Sequence, residues 1–248
     1  MFQDLSANIL MVEYRGFGDS EGQPSEIGIR RDAEAALNFI RKHPEIDANK
    51  IFIFGRSLGG AVSFHLAEYA EHKGINVAGL IVENTFLSIS TMVDCLMPFL
   101  SPFKKLVLRI GWDSEKIAAK LKMPILYLAG AKDELVPHKH MLNLYSLSKQ
   151  SSKLPCIHIV KNGRHNETWI QGGSAYMENF QSFMKSAISV SSNSNRNSFF
   201  KRKPLVSGVE IDHSKTTSAI PLMPKTYAGM AKQAITSRSE DIASKKQK

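Results

Sequence analysis

Two spacings of apolar residues alternate along the first three-quarters of the chain. Short continuous apolar runs predict strands at residues 8–14, 50–54, 77–82, 124–129 and 156–160. Between them, apolar positions recur at every third or fourth residue. Ile29, Ala33, Ala36, Leu37 and Ile40 mark a helix within 26–42, with Pro44 beyond its end. Further helices are predicted at 58–72, 114–121, 138–148 and 175–186, and a helical stretch at 88–110 is interrupted by Pro98 and Pro102. Strands alternating with helices predict an α/β fold: a mostly parallel sheet with helices on both faces. Ligands of such sheets bind at the carboxyl ends of the strands.

The pattern stops near residue 188. Beyond it, serine and asparagine dominate, apolar residues are sparse and no period is sustained, so residues 188–248 are expected to be a mainly disordered tail after a domain spanning 1–187. Charge divides at the same place. The chain has a formal charge of +9, but residues 1–187 hold 21 Lys+Arg against 19 Asp+Glu, while the tail holds 11 against 4. Within the tail, Lys201-Arg202-Lys203 follow Phe199-Phe200. That cluster offers weak attraction to an anionic membrane surface, and no specific nucleic-acid partner is expected.

Two cysteines, Cys95 and Cys156, are too few for a disulfide framework and lack metal-ligand spacing. No apolar run approaches the roughly 20 residues of a membrane helix, and no signal-peptide pattern opens the chain, so the sequence as it stands reads as soluble. A hydrophobic share of 43% is ample for one sizeable core.

Gly55-Arg56-Ser57-Leu58-Gly59 lies between a predicted strand and a predicted helix. A serine there sits on a sharp turn that lifts its hydroxyl above the sheet edge, flanked by small residues that permit close approach, with a helix N-terminus facing developing negative charge. Ser57 is therefore the candidate nucleophile and the Leu58 backbone N–H a candidate oxyanion donor. The bland alternative is a tight turn whose serine merely caps the helix. Arg56 is expected to be structural or to line the pocket.

A serine hydroxyl needs a base, and the base a carboxylate to orient it. The strand at 124–129 leads into Gly130-Ala131-Lys132-Asp133-Glu134, making Asp133 the candidate acid with Glu134 as the alternative. The strand at 156–160 leads into Lys161-Asn162-Gly163-Arg164-His165. Among the eight histidines, His165 alone follows a late strand in a glycine-containing loop. No metal or organic cofactor is required. Met92, Leu96, Met97, Phe99, Leu100, Phe103 and Leu106 fall where a lid over an apolar acyl group could sit, although residues at this spacing are more often core.

Together, Tyr14-Arg15-Gly16-Phe17-Gly18-Asp19-Ser20-Glu21-Gly22, Gly55-Arg56-Ser57-Leu58-Gly59-Gly60, the Gly130 to Pro137 loop and Gly163-Arg164-His165-Asn166 resemble the α/β-hydrolase superfamily over about residues 5–187. The resemblance implies that Ser57, Asp133 and His165 match the family's nucleophile, acid and base. It also implies that strands preceding residue 8, and a His-Gly loop supplying a second oxyanion donor, are absent. On that resemblance the chain reads as an N-terminally shortened form; full-length relatives carry a single-pass membrane anchor. Two functions follow as expectations. One is a serine hydrolase acting on an acyl ester or thioester substrate through an acyl-enzyme. The other is a catalytically impaired scaffold of the same fold whose basic tail binds acidic partners or a membrane surface.

Overall fold

The computed structural model describes residues 5–96, 111–193 and 206–207. In chain order these form α1 (Glu26–Ile40), β1 (Phe52–Arg56), α2 (Leu58–His72), β2 (Gly79–Glu83), α3 (Ile89–Leu96), α4 (Ser114–Ala118), β3 (Ile125–Gly130), α5 (Lys139–Ser148), β4 (Pro155–Val160), α6 (Thr168–Asn193) and the two-residue β5 (Val206–Ser207). The strands lie in the order β1-β2-β3-β4-β5, and every pair is parallel.

Side chains along the strands alternate between two cores, as the pleat requires. Leu80, Val82, Ile125, Tyr127, Ala129 and Ile157 face one way, against residues of α1, α2, α4 and α5. Ile81, Leu126, Leu128, Cys156 and Val160 face the other, against Tyr176, Phe180, Phe183 and Ala187 of α6. With both faces covered, β2 and β3 are buried along their whole length. This is why they read as continuous apolar runs.

Local chemistry fixes the ends of the elements. Ser25 caps α1 by accepting the Gly28 N–H at 3.1 Å. Before α1, the glycine-rich turn is tied down by Arg15, whose guanidinium grips Asp32 at 2.6–3.1 Å and holds that carboxyl below its usual range. The segment α6 is two helical pieces joined at Gly173, where φ is 52°.

One predicted strand is not formed. Residues 7–14 adopt no regular structure, and Ile9, Leu10, Met11 and Val12 are 46%, 45%, 81% and 40% exposed. An apolar run specifies a buried strand only if a neighbouring strand supplies the ladder; this segment instead lines an open groove of about 1260 Å³ together with β1 and α6. The helix predicted at 175–186 is longer than expected, continuing to Asn193. The expected tail lies largely outside the described residues, as does the Met97 to Leu106 part of the proposed lid. Met92 packs against the core, the blander of its two readings. No helix among the described residues is long and apolar enough to cross a membrane.

Candidate active site

Strand β1 ends at Arg56 and α2 begins at Leu58, leaving Ser57 alone to make the turn. Its backbone has φ 54° and ψ −121°, a conformation a non-glycine residue holds only when its surroundings enforce it. Those surroundings are identifiable. The Ser57 N–H donates to the Glu83 carbonyl at 3.0 Å, and Thr85 Oγ1 donates to the Ser57 carbonyl at 2.7 Å. The Ser57 side chain makes no capping bond to α2, contrary to the expectation for a serine that serves only as an N-cap. Leu58, whose N–H is the candidate oxyanion donor, is the first residue of α2 and half-buried.

The turn depends on Gly55. A Cβ there would sit 2.1 Å from the Gly59 carbonyl oxygen and 2.3 Å from Ser63 Oγ. Gly59 is different, because a Cβ at that position meets nothing within 4 Å. The close approach expected on both sides of the serine is thus required on one side only. We expect Gly55→Ala to destabilise the fold by about 1–3 kcal/mol in urea denaturation, since backbone atoms must give way, whereas Gly59→Ala should be near neutral.

The two other candidates meet at the ends of β3 and β4. His165 Nδ1 lies 2.8 Å from Asp133 Oδ2, with side-chain exposures of 2% and 1%. Asp133 Oδ1 accepts the N–H groups of Leu135 at 2.9 Å and Val136 at 2.8 Å, which fixes the carboxylate's plane. Because the carboxylate faces Nδ1, the imidazole proton sits there and Nε2 is left as an acceptor. Glu134, the alternative acid, is exposed and its Oε2 takes the His165 backbone N–H at 3.4 Å rather than the ring. Arg56 is exposed and its Nη1 donates to the Asn166 carbonyl at 3.4 Å, which links the end of β1 to the histidine loop.

Two other histidines serve elsewhere. His65 bonds Glu34 at 3.1 Å on the α1–α2 side. His140 is buried: its Nδ1 accepts the Leu87 N–H at 3.4 Å, its Nε2 faces Cys95 Sγ at 3.6 Å, and burial lowers its pKa to about 4. Its role is structural.

The sequence reading passed over the polar triplet Glu83-Asn84-Thr85. Its signal was available: three polar residues directly after apolar Leu80-Ile81-Val82, at the strand end where ligands bind. All three are buried. Burial raises the Glu83 carboxyl's pKa, opposed in part by the Tyr176 hydroxyl, which donates to Oε2, while Oε1 has no partner. Folded Glu83 therefore holds its proton at a pH where the unfolded chain has lost it, and stability falls as pH rises through that interval. Tyr176→Phe should cost about 1–3 kcal/mol, more at pH 8 than at pH 5, in chemical denaturation at the two pH values.

Known proteins resemble this chain in sequence and in fold. The family model described as serine aminopeptidase, S33, matches residues 2–111. Alpha/beta hydrolase domain-containing protein WAV2 of Arabidopsis thaliana is 40% identical over 198 residues, covering 75% of this chain and 63% of its own. Protein bem46 of Schizosaccharomyces pombe is 33% identical over 184 residues, covering 74% and 59%. The chain thus spans about three-fifths of the length of these relatives. Among solved structures, an alpha-beta hydrolase from Vibrio vulnificus aligns with a TM-score of 0.57 at 24% identity, over 68% of this chain and 61% of that one, a likeness of fold. The parallel sheet, the turn at Ser57 and these relatives agree: the chain is a member of the α/β-hydrolase superfamily.

Proposed function

We propose that this protein is a serine hydrolase that cleaves esters or thioesters through an acyl-enzyme. The observation that carries the reading is the buried Asp133–His165 pair at 2.8 Å, held at the same end of the sheet as a serine in a strained turn. In this mechanism Ser57 Oγ attacks the acyl carbon while His165 Nε2 takes its proton. Asp133 keeps the ring in the required tautomer and stabilises the imidazolium. The Leu58 N–H, at the start of α2, stabilises the oxyanion. His165 then returns the proton to the leaving group. Water, activated by the same imidazole, releases the acid and regenerates Ser57. The four motifs resemble those of alpha/beta hydrolase domain-containing protein 13, and kinship with it is part of the proposal.

The name of the matched family model raises peptide cleavage as a second reading, since an amide would be attacked by the same groups. Turnover of p-nitrophenyl acyl esters, an acyl thioester and aminoacyl p-nitroanilides by the protein, each corrected with Ser57→Ala, separates the two. Hydrolysis of esters and thioesters but not anilides supports the proposal. Preferential anilide cleavage supports the peptidase. Equal background rates for both proteins support a scaffold without catalysis.

A further inference from the structure

The loops carrying Asp133 and His165 have no regular structure of their own, yet their side chains meet within hydrogen-bond distance. The two loops are joined directly by the Lys132 N–H, which donates to the Gly163 carbonyl at 2.9 Å, and a residue outside both joins them a second time. That residue, Asn84, directly follows β2, a strand that contributes no member of the proposed triad.

Asn84 is 1% exposed, and its side chain bonds both loops at once. Oδ1 accepts the Gly130 N–H at 2.8 Å, at the point where β3 gives way to the Asp133 loop. Nδ2 donates to the His165 carbonyl at 3.0 Å and to Thr168 Oγ1 at 2.9 Å, with a longer contact to the Arg164 carbonyl at 3.4 Å. Thr168 Oγ1 in turn donates to the Arg164 carbonyl at 2.6 Å. None of these partners is local to Asn84. Its own backbone N–H extends the ladder to Leu128 at 3.1 Å, and its neighbours Glu83 and Thr85 hold the N–H and C=O of Ser57.

The residue type is also constrained. Asn84 has φ 47°, a conformation that glycine and asparagine adopt more readily than other residues. Glycine would supply the backbone without any side-chain bond. Aspartate would supply the acceptor for Gly130 but face the two carbonyls of the histidine loop with oxygen. Asparagine alone combines the tolerated φ with one acceptor and one donor group in these directions.

We infer that Asn84 is a positioning residue for the proposed hydrolysis: its amide clamps the histidine loop to the acid loop, while its neighbours Glu83 and Thr85 hold the turn bearing Ser57. This rests on the serine-hydrolase reading above. With Glu83 and Thr85, it makes three consecutive residues of one strand end the common mount for all three candidate side chains. Displacement of about 1 Å in such an arrangement can cost 100-fold in rate.

The test uses the full chain and the variants Asn84→Gly, which keeps the backbone conformation and deletes the clamp, and Asn84→Asp, which keeps only the acceptor. Two readouts are taken. One is the second-order rate of labelling by a fluorophosphonate; the other is the downfield proton resonance of His165 Nδ1–H, assigned by its loss in His165→Ala. Both variants should label about 100-fold more slowly than the parent. Both should also lose or broaden the resonance, and ester kcat should fall much more than KM changes. Labelling and resonance at parental values in both variants would overturn the inference. If Asn84→Gly does not fold, Asn84→Asp and Thr168→Val, which removes one acceptor of the clamp, decide it by the same criteria. Absence of labelling in the parent would sink the hydrolase reading instead, while the resonance would still report whether Asn84 sets the geometry of the Asp133–His165 pair.

Discussion

Ser57→Ala is expected to lower ester turnover by about 10⁴- to 10⁶-fold, with the fold intact. The activity loss follows from removing the only atom proposed to bond the acyl group. The intact fold follows from what the side chain does in the structure: it is half-buried and makes no capping bond to α2, so its deletion leaves no donor unpaired. A thermal melt should place Ser57→Ala within about 0.5 kcal/mol of the parent. Ser57→Gly extends the same argument. At φ 54° and ψ −121°, glycine relieves strain that serine must bear, so this variant should be equally inactive yet more stable than the parent by about 1 kcal/mol. A loss of activity with a gain of stability at one position is hard to obtain from a purely structural turn.

Asp133→Asn is expected to cost about 10⁴-fold in kcat, although it changes one atom of the side chain. Asparagine can still accept the Leu135 and Val136 N–H groups through its oxygen, so the loop retains its local bonds. What changes is the partner of His165 Nδ1, now 2.8 Å from an amide N–H donor. That donor pairs with an unprotonated Nδ1, which forces the proton to Nε2, where the base must be vacant. Glu134 provides the contrast. Its carboxylate reaches the His165 backbone and not the ring, so Glu134→Gln should retain activity within a few fold. Steady-state kinetics on the two variants would show whether the loop's adjacent carboxylates have the separate roles that the geometry gives them.

Much of this arrangement was legible because the relevant signals are local. Helix α2 begins and ends where its spacing predicts, and β2, β3 and β4 lie where their apolar runs are, since burial on both faces leaves an unbroken hydrophobic signature. Ser57 was legible through the glycines around a strand–helix junction, and Asp133 and His165 through their positions just past strand ends. Residues 8–14 show the limit of that method. The run is as apolar as β2, but a strand is a relation between two segments, and periodicity describes only one. Asn84 shows another limit. Every bond of its side chain reaches across 46 residues or more, so no spacing rule could reveal it, whereas its place after an apolar strand could have flagged it. Gly59, by contrast, carries the sequence motif but has open space where a side chain would go.

The central claim is that Ser57 is an activated nucleophile, and covalent capture tests it most directly. The full chain would be treated with a fluorophosphonate, digested, and the modified residue located by mass spectrometry, beside Ser57→Ala and His165→Ala. The account predicts a stoichiometric adduct on Ser57 that is absent from Ser57→Ala and strongly slowed in His165→Ala. A folded protein that acquires no adduct, or acquires one on another residue with Ser57 untouched, would contradict it.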